Sequence, residues 1–223
     1  TLVVSLDAFR EYHEDSDDLW ERQALIRARP VTGPDELQRD IIAVREARIF
    51  DDPLPADAAE RLVEMRDKIH SHAGDSGGAL DIKTSPGGLI DLEFLTQYLQ
   101  LVHGRETTVD RPGQPDALQP GLRTQQTLLA LQHLDANPPR DDLDFRELVA
   151  DYRTLRRVEV RLRMADLRDH NRLPADPEQR RQAIEAATMA YDEEAIPDDI
   201  RSLLARSLGE RPQDRFSSAS DFK

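Results

Sequence analysis

Lys83 stands four residues before Gly87-Gly88, and all three lie just ahead of a run that reads as a helix. A lysine, a Gly-Gly turn and a helix N-terminus in succession can hold an anion. Backbone N–H groups converge there, glycine lets a ligand come close, and the ammonium adds charge. The same residues have a plainer reading, in which the glycines only let the helix pack tightly where it joins the core. Composition draws attention to Lys83. Only Lys68, Lys83 and Lys223 are lysines among 30 basic residues, and lysine is not interchangeable with arginine where a compact charge meets a phosphate.

Other chemistry is harder to assemble. Asp15-Ser16-Asp17 and Asp142-Leu143-Asp144 have the spacing of a metal-binding carboxylate pair. Neither follows a Gly-Ser turn or sits on a strand, so each reads as a solvated loop or a helix start. His70 and His72 face different directions on a helix and make a poor metal pair. His103, at a helix end, reads as a dipole residue rather than a base, and Ser71 has no evident base beside it. There is no Walker, GxGxxG or HExxH motif. The absence of cysteine removes disulfides, thiol nucleophiles and thiolate-held metals.

The element that must position Lys83 and the glycines is the run Leu89 to His103. Leu92, Leu95, Leu99 and Val102 form one apolar stripe, and Ile90, Phe94, Tyr98 and Leu101 form another. A helix apolar on most of its circumference is a buried one. Its polar residues Glu93, Gln97 and Gln100 share one narrow face and need partners there. Asp91 falls in the first turn, where a carboxylate suits the helix dipole.

Strand-type runs are nearly absent, and the aromatic share is 5%. The expected fold is all-α: a bundle of about seven to nine helices around the buried helix 89–103, with at most a remnant strand at residues 1–4. Helices are expected from Ser5, over 19–29, from Gly33-Pro34 to about Asp51, over 56–73, 123–134, 145–169, 177–191 and 197–208. Residues 210–223 read as a flexible tail. The formal net charge of −14, with 28 of the 44 acidic residues being Asp, argues against nucleic acid and anionic membranes as partners. No signal peptide or apolar run of 18 residues is present, so a cytoplasmic setting is expected. The first residue is Thr1, and a longer polypeptide is expected around the chain.

Residues 81–104, DIKTSPGGLIDLEFLTQYLQLVHG, resemble a segment of glutamine synthetase adenylyltransferase, from the helical domain that follows each of its nucleotidyltransferase domains. The related PII uridylyltransferase shares that architecture. Two more stretches resemble the same family: Ser5-Leu6-Asp7-Ala8-Phe9 with Tyr12 and Trp20-Glu21-Arg22-Gln23-Ala24-Leu25 up to Arg29, and Leu155-Arg156-Arg157-Val158-Glu159. In the third, Val160 and Arg163 replace the usual His and Gln, which puts any role of that His in doubt.

The resemblance implies a helical domain at 1–209 that adjoins an upstream nucleotidyltransferase domain and lacks the Gly-Ser and paired-aspartate site itself. The parent would use ATP and Mg²⁺ to adenylylate or deadenylylate glutamine synthetase, regulating nitrogen assimilation. The wording of 81–104 is closer to the adenylylating half. This fragment alone is expected to be inactive, with neither ATP nor metal bound. Arg27, Arg29 and Lys83 are the expected phosphate or partner contacts, with Gly87 and Gly88 giving close approach. Glu21 and Glu93 are the expected carboxylates holding those cations. Expected partners are the upstream domain, glutamine synthetase and the PII signal protein. The alternatives are the equivalent domain of a PII uridylyltransferase, or a non-catalytic helical module that binds protein through its acidic surface and Arg-rich helix.

Overall fold

The computed structural model describes residues 3–16, 18–72, 80–104, 121–165 and 171–189. The described residues are mainly helical, with eight α-helices and one two-stranded sheet among them. The chain divides into two compact units, residues 1–62 with 96–140, and 63–95 with 141–223. No described helix is long and apolar enough to cross a membrane.

In the first unit, α1 (Leu6–Asp15) starts where the Ser5 hydroxyl accepts the Ala8 N–H at 3.1 Å, as a cap should. α2 spans Leu19–Leu25. It stops short of Arg29 because its last turn tightens, with Ile26 N–H donating to Gln23 O and Arg27 N–H to Ala24 O. α3 (Asp35–Glu46) runs directly into a π-helical turn, Ala47–Asp51. α4 (Ala58–His72) begins in this unit and α5 (Leu89–His103) ends in it. α6 (Thr127–Ala136) completes it. α6 starts later than residue 123 because the preceding backbone is used otherwise. Leu122 O and Thr124 O accept from Gln100 Nε2 at 2.6 and 2.8 Å.

Leu19, Ile26, Ile49, Phe50, Leu62 and Leu101 form the apolar core of this unit. Two arginines are buried within it. Arg22 donates to Ile49 O and Pro53 O, and Arg45 donates to Leu25 O and Ile26 O. Ile49 O, Leu25 O and Ile26 O lie at helix ends, where carbonyls run short of intrahelical partners, and each guanidinium answers more than one backbone acceptor at once. Burial still lowers the Arg45 pKa, against the charge and hydrogen bond of Glu46. Gly104 closes α5 against Phe50, where any Cβ would collide with the ring and with Gln100 O.

The second unit holds the C-terminal part of α4, the N-terminal part of α5, α7 (Phe145–Ala165) and α8 (Pro177–Met189). β1 (Leu80–Asp81) pairs antiparallel with β2 (Arg172–Leu173), Leu80 opposite Leu173. Its core contains Ile82, Leu89, Leu92, Leu95, Phe145, Leu155, Val158, Leu173 and Ile184.

The expected strand at residues 1–4 does not appear at Val3 and Val4, which are exposed with no strand assigned. The sheet lies instead at Leu80–Asp81, paired with Arg172–Leu173. Residues 1 and 2, the expected helix 197–208 and the tail 210–223 lie outside the described residues.

Candidate functional site

The turn carrying Lys83 is built from its own hydrogen bonds. Asp81 Oδ1 accepts the N–H groups of Lys83 at 2.8 Å and Thr84 at 3.0 Å, the side-chain-to-backbone habit of Asp that favours turns. Ser85 N–H donates to Asp81 O, and Ser85 Oγ accepts Asp81 N–H at 2.9 Å. Gly88 N–H donates to Ser85 O, Leu89 N–H to Ile82 O and Ile90 N–H to Lys83 O. Carbonyls of the turn therefore fill the N-terminus of α5, where an anion would otherwise find free donors.

The glycines are required by this closure. Gly87 has φ +78°, in the left-handed region that glycine adopts without penalty. A Cβ on Gly88 would lie 2.8 Å from both Ile82 O and Ser85 O. Of the two readings of Gly87-Gly88, close packing accounts for their backbone. Lys83 is exposed, and its ammonium has no polar partner among the described residues.

Asp91 locks the turn to α4. Its carboxylate is 5% exposed as a residue and accepts Arg66 Nε and Nη2 at 2.8 and 3.0 Å. It also accepts the Gly87 N–H at 2.7 Å, and His70 Nε2 lies 3.1 Å away. Sequence placed Asp91 only as a dipole residue. The signal for more was Arg66 and His70, spaced i, i+4 on one face of α4.

Glu93 meets Arg156 of α7 at 3.0 Å and not Lys83. Arg156 also reaches the buried Glu159 at 2.7 Å, and Glu159 takes Arg163 at 2.8 Å. Burial works against the charged Arg156. Hydrogen bonds to Glu159 and Tyr152 and the charge of Glu93 more than offset this, so its pKa is raised.

In the first unit, Glu21 accepts hydrogen bonds from Tyr12 Oη and from Ser16 Oγ, the latter at 2.7 Å. These, Tyr12 first, hold its pKa below the usual value. It does not hold Arg27 or Arg29. Arg27 donates to Thr127 Oγ1 at 3.0 Å, and Arg29 is exposed. The polar stripe of α5 is satisfied by Gln23 Nε2 donating to Gln97 Oε1 at 2.7 Å and by the bonds of Gln100.

The remaining suspects resolve quietly. Asp144 caps α7 by accepting the Glu147 N–H at 3.1 Å. The Ser71 hydroxyl donates to Lys68 O. Asp17 and the His72 side chain lie outside the described residues. Among the described residues, no group of three or more His, Asp or Glu is placed to hold a metal ion. A cleft of about 340 Å³ opens in the first unit beside the π turn, lined by Arg10, His13, Glu14, Asp40 and Arg48 among others. None of the residues chosen from sequence lines it. Burial there lowers the His13 pKa, opposed by Glu21 and aided by Arg48.

The sequence profile of the family described as GlnD PII-uridylyltransferase matches residues 57–222. That of glutamate-ammonia ligase adenylyltransferase matches residues 1–43. The chain is similar to the bifunctional glutamine synthetase adenylyltransferase/adenylyl-removing enzyme of Leifsonia xyli subsp. xyli, with 33% identity over 175 residues, 78% of this chain and 16% of that protein. The enzyme of the same name from Chromobacterium violaceum is 39% identical over 105 residues, 47% of this chain and 11% of the relative. That from Hahella chejuensis is 37% identical over 106 residues, 45% of this chain and 11% of the relative. The chain thus spans a small fraction of the length of the curated relatives it matches. With most of its residues covered by the first profile, the chain belongs to the GlnD PII-uridylyltransferase family, as a helical domain of the glutamine synthetase adenylyltransferase kind.

Proposed function

We propose that residues 1–209 form a helical domain that packs against a nucleotidyltransferase domain and completes one wall of its active site. The whole enzyme transfers AMP from ATP to a tyrosine of glutamine synthetase, or removes it by phosphorolysis, in the cytoplasm. The observation that carries this reading is Lys83. It is an exposed ammonium without a polar partner among the described residues, on a turn whose backbone donors are already engaged. A cation carried on a hydrogen-bonded turn suits a phosphate whose charge must be met during phosphoryl transfer. Arg27 and Arg29 are further phosphate or partner contacts, and Gly87 and Gly88 serve by letting the turn close. Mg²⁺ would be held by carboxylates of the nucleotidyltransferase domain and would supply positive charge to the triphosphate of ATP. PII signal protein is a candidate regulatory partner.

The test joins this chain to the nucleotidyltransferase domain of a relative and follows AMP transfer to glutamine synthetase and its removal. Lys83→Ala should lower kcat/KM by roughly 10- to 100-fold, with the thermal midpoint unchanged. Full turnover in a folded variant removes Lys83 from the reading. The profile match over residues 57–222 supports a second reading, uridylyl transfer to PII. The same fused enzyme, offered PII and a uridylyl donor, separates the two.

A further inference from the structure

The arginines of α7 fall into two sets. Arg156 and Arg163 are spent on Glu93 and Glu159. Arg146, Arg153 and Arg157 are exposed and have no hydrogen bond or ion pair among the described residues. At intervals of seven and four, these three lie on a single row of the helix. Val160, 53% exposed, continues the row three residues on. The row runs over 15 residues, about 21 Å end to end at the rise of an α-helix.

Charge makes this row unusual. The chain carries 44 acidic residues and a net charge of −14, yet none of the described carboxylates reaches these guanidiniums. We propose that the row Arg146–Arg153–Arg157–Val160 is a docking surface for an acidic helix of a partner protein. Guanidinium groups take carboxylates through two parallel hydrogen bonds. A second helix repeats the same seven- and four-residue intervals along its own surface, so carboxylates there meet all three arginines in register. Val160 supplies the apolar contact that fixes the docking position. A nucleic acid fits less well: three cations face many phosphates, and the row offers no aromatic ring for base stacking. This surface is independent of the role assigned to Lys83.

Fluorescence anisotropy with the 223-residue chain reads the interaction. The probe is a labelled alanine-based helical peptide with glutamates at the matching intervals and one leucine placed to meet Val160. A second peptide has the same composition with the glutamates scrambled, and a short RNA duplex is the third ligand. The matched peptide should bind at least about tenfold more tightly than the scrambled one. Replacing all three arginines by glutamine should abolish that preference, and Val160→Asp should weaken it without touching the arginines. Arg163→Gln, which alters the internally paired set, should keep it. Circular dichroism checks that each variant is folded. Equal affinity for the two peptides, no detectable binding of the matched one, or tighter binding of the RNA duplex overturns the proposal.

Discussion

Arg66 grips Asp91 at two points, Nε to Oδ1 at 2.8 Å and Nη2 to Oδ2 at 3.0 Å, with both side chains under a tenth exposed. The pair ties α4 to the turn that presents Lys83, because Oδ2 also takes the Gly87 N–H. Removing one member of a buried pair leaves an uncompensated charge. Asp91→Ala should therefore cost about 3–5 kcal/mol of stability, read from urea unfolding monitored by circular dichroism. A loss below about 1 kcal/mol would mean that the pair is open to water.

The two glycines should respond for different reasons. Gly88→Ala meets carbonyl oxygens at 2.8 Å that belong to the backbone, and should cost about 1–3 kcal/mol. Gly87→Ala strains a residue at φ +78°, and should cost about 1 kcal/mol. Lys83→Ala, on the same turn, should stay within about 0.5 kcal/mol of the parent chain. Thermal melts of the three variants side by side give the order, and equal losses for all three would refute it.

Two groups set the pH dependence of the first unit. Glu21 is held below its ordinary value of 4.5 by Tyr12 and Ser16. Its contribution is present above pH 4.5 and disappears as pH falls through the lower folded value. His13 is pushed below 6.5 by burial. The unfolded chain then binds the proton more readily, so stability drops as pH falls below 6.5 towards the folded value. Glu21→Gln should flatten the acid limb and His13→Gln the limb just below 6.5. Urea midpoints measured from pH 8 to pH 3 on the three chains would expose an error in either sign.

Within α7, paired and unpaired arginines should differ in worth. Arg156→Ala strips Glu93 and the buried Glu159 of a partner and should cost about 1–3 kcal/mol. Arg153→Ala should cost less than about 0.5 kcal/mol. Similar denaturation midpoints for the two would show that the Glu93–Arg156–Glu159 network is solvated away.

Much of the architecture was legible in periodicity. The two apolar stripes of 89–103 predicted a buried helix, and Leu89, Leu92, Leu95 and Leu99 are all under 5% exposed. Ser5 and Asp144 could be recognised as helix starts because capping is a local act. The β1–β2 ladder could not, since two-residue strands leave no alternation to read and their partners lie far apart in sequence. The turn that carries the candidate residues was legible in sequence, and their side-chain partners were not. Lys83, Gly87 and Gly88 do share one turn. The pairing of Glu93 with Arg156 and the burial of Asp91 against Arg66 depend on which helices meet, and single-helix patterns do not encode that. Glu21 went to Tyr12 and Ser16 for the same reason.

The π turn at Ala47–Asp51 holds one residue more than an α-helix would fit into that stretch. It works as a spacer in the helical reading frame. Excising that surplus residue would wind the segment back to ordinary pitch and swing Ile49 and Phe50 by about 100°. Phe50 would then leave its seat beneath the Arg123 guanidinium, now 4.5 Å from the ring centre, and Ile49 would surrender the carbonyl that Arg22 holds. Homologous chains that shorten this stretch by one residue should therefore have changed Phe50, Arg22 and Arg123 together.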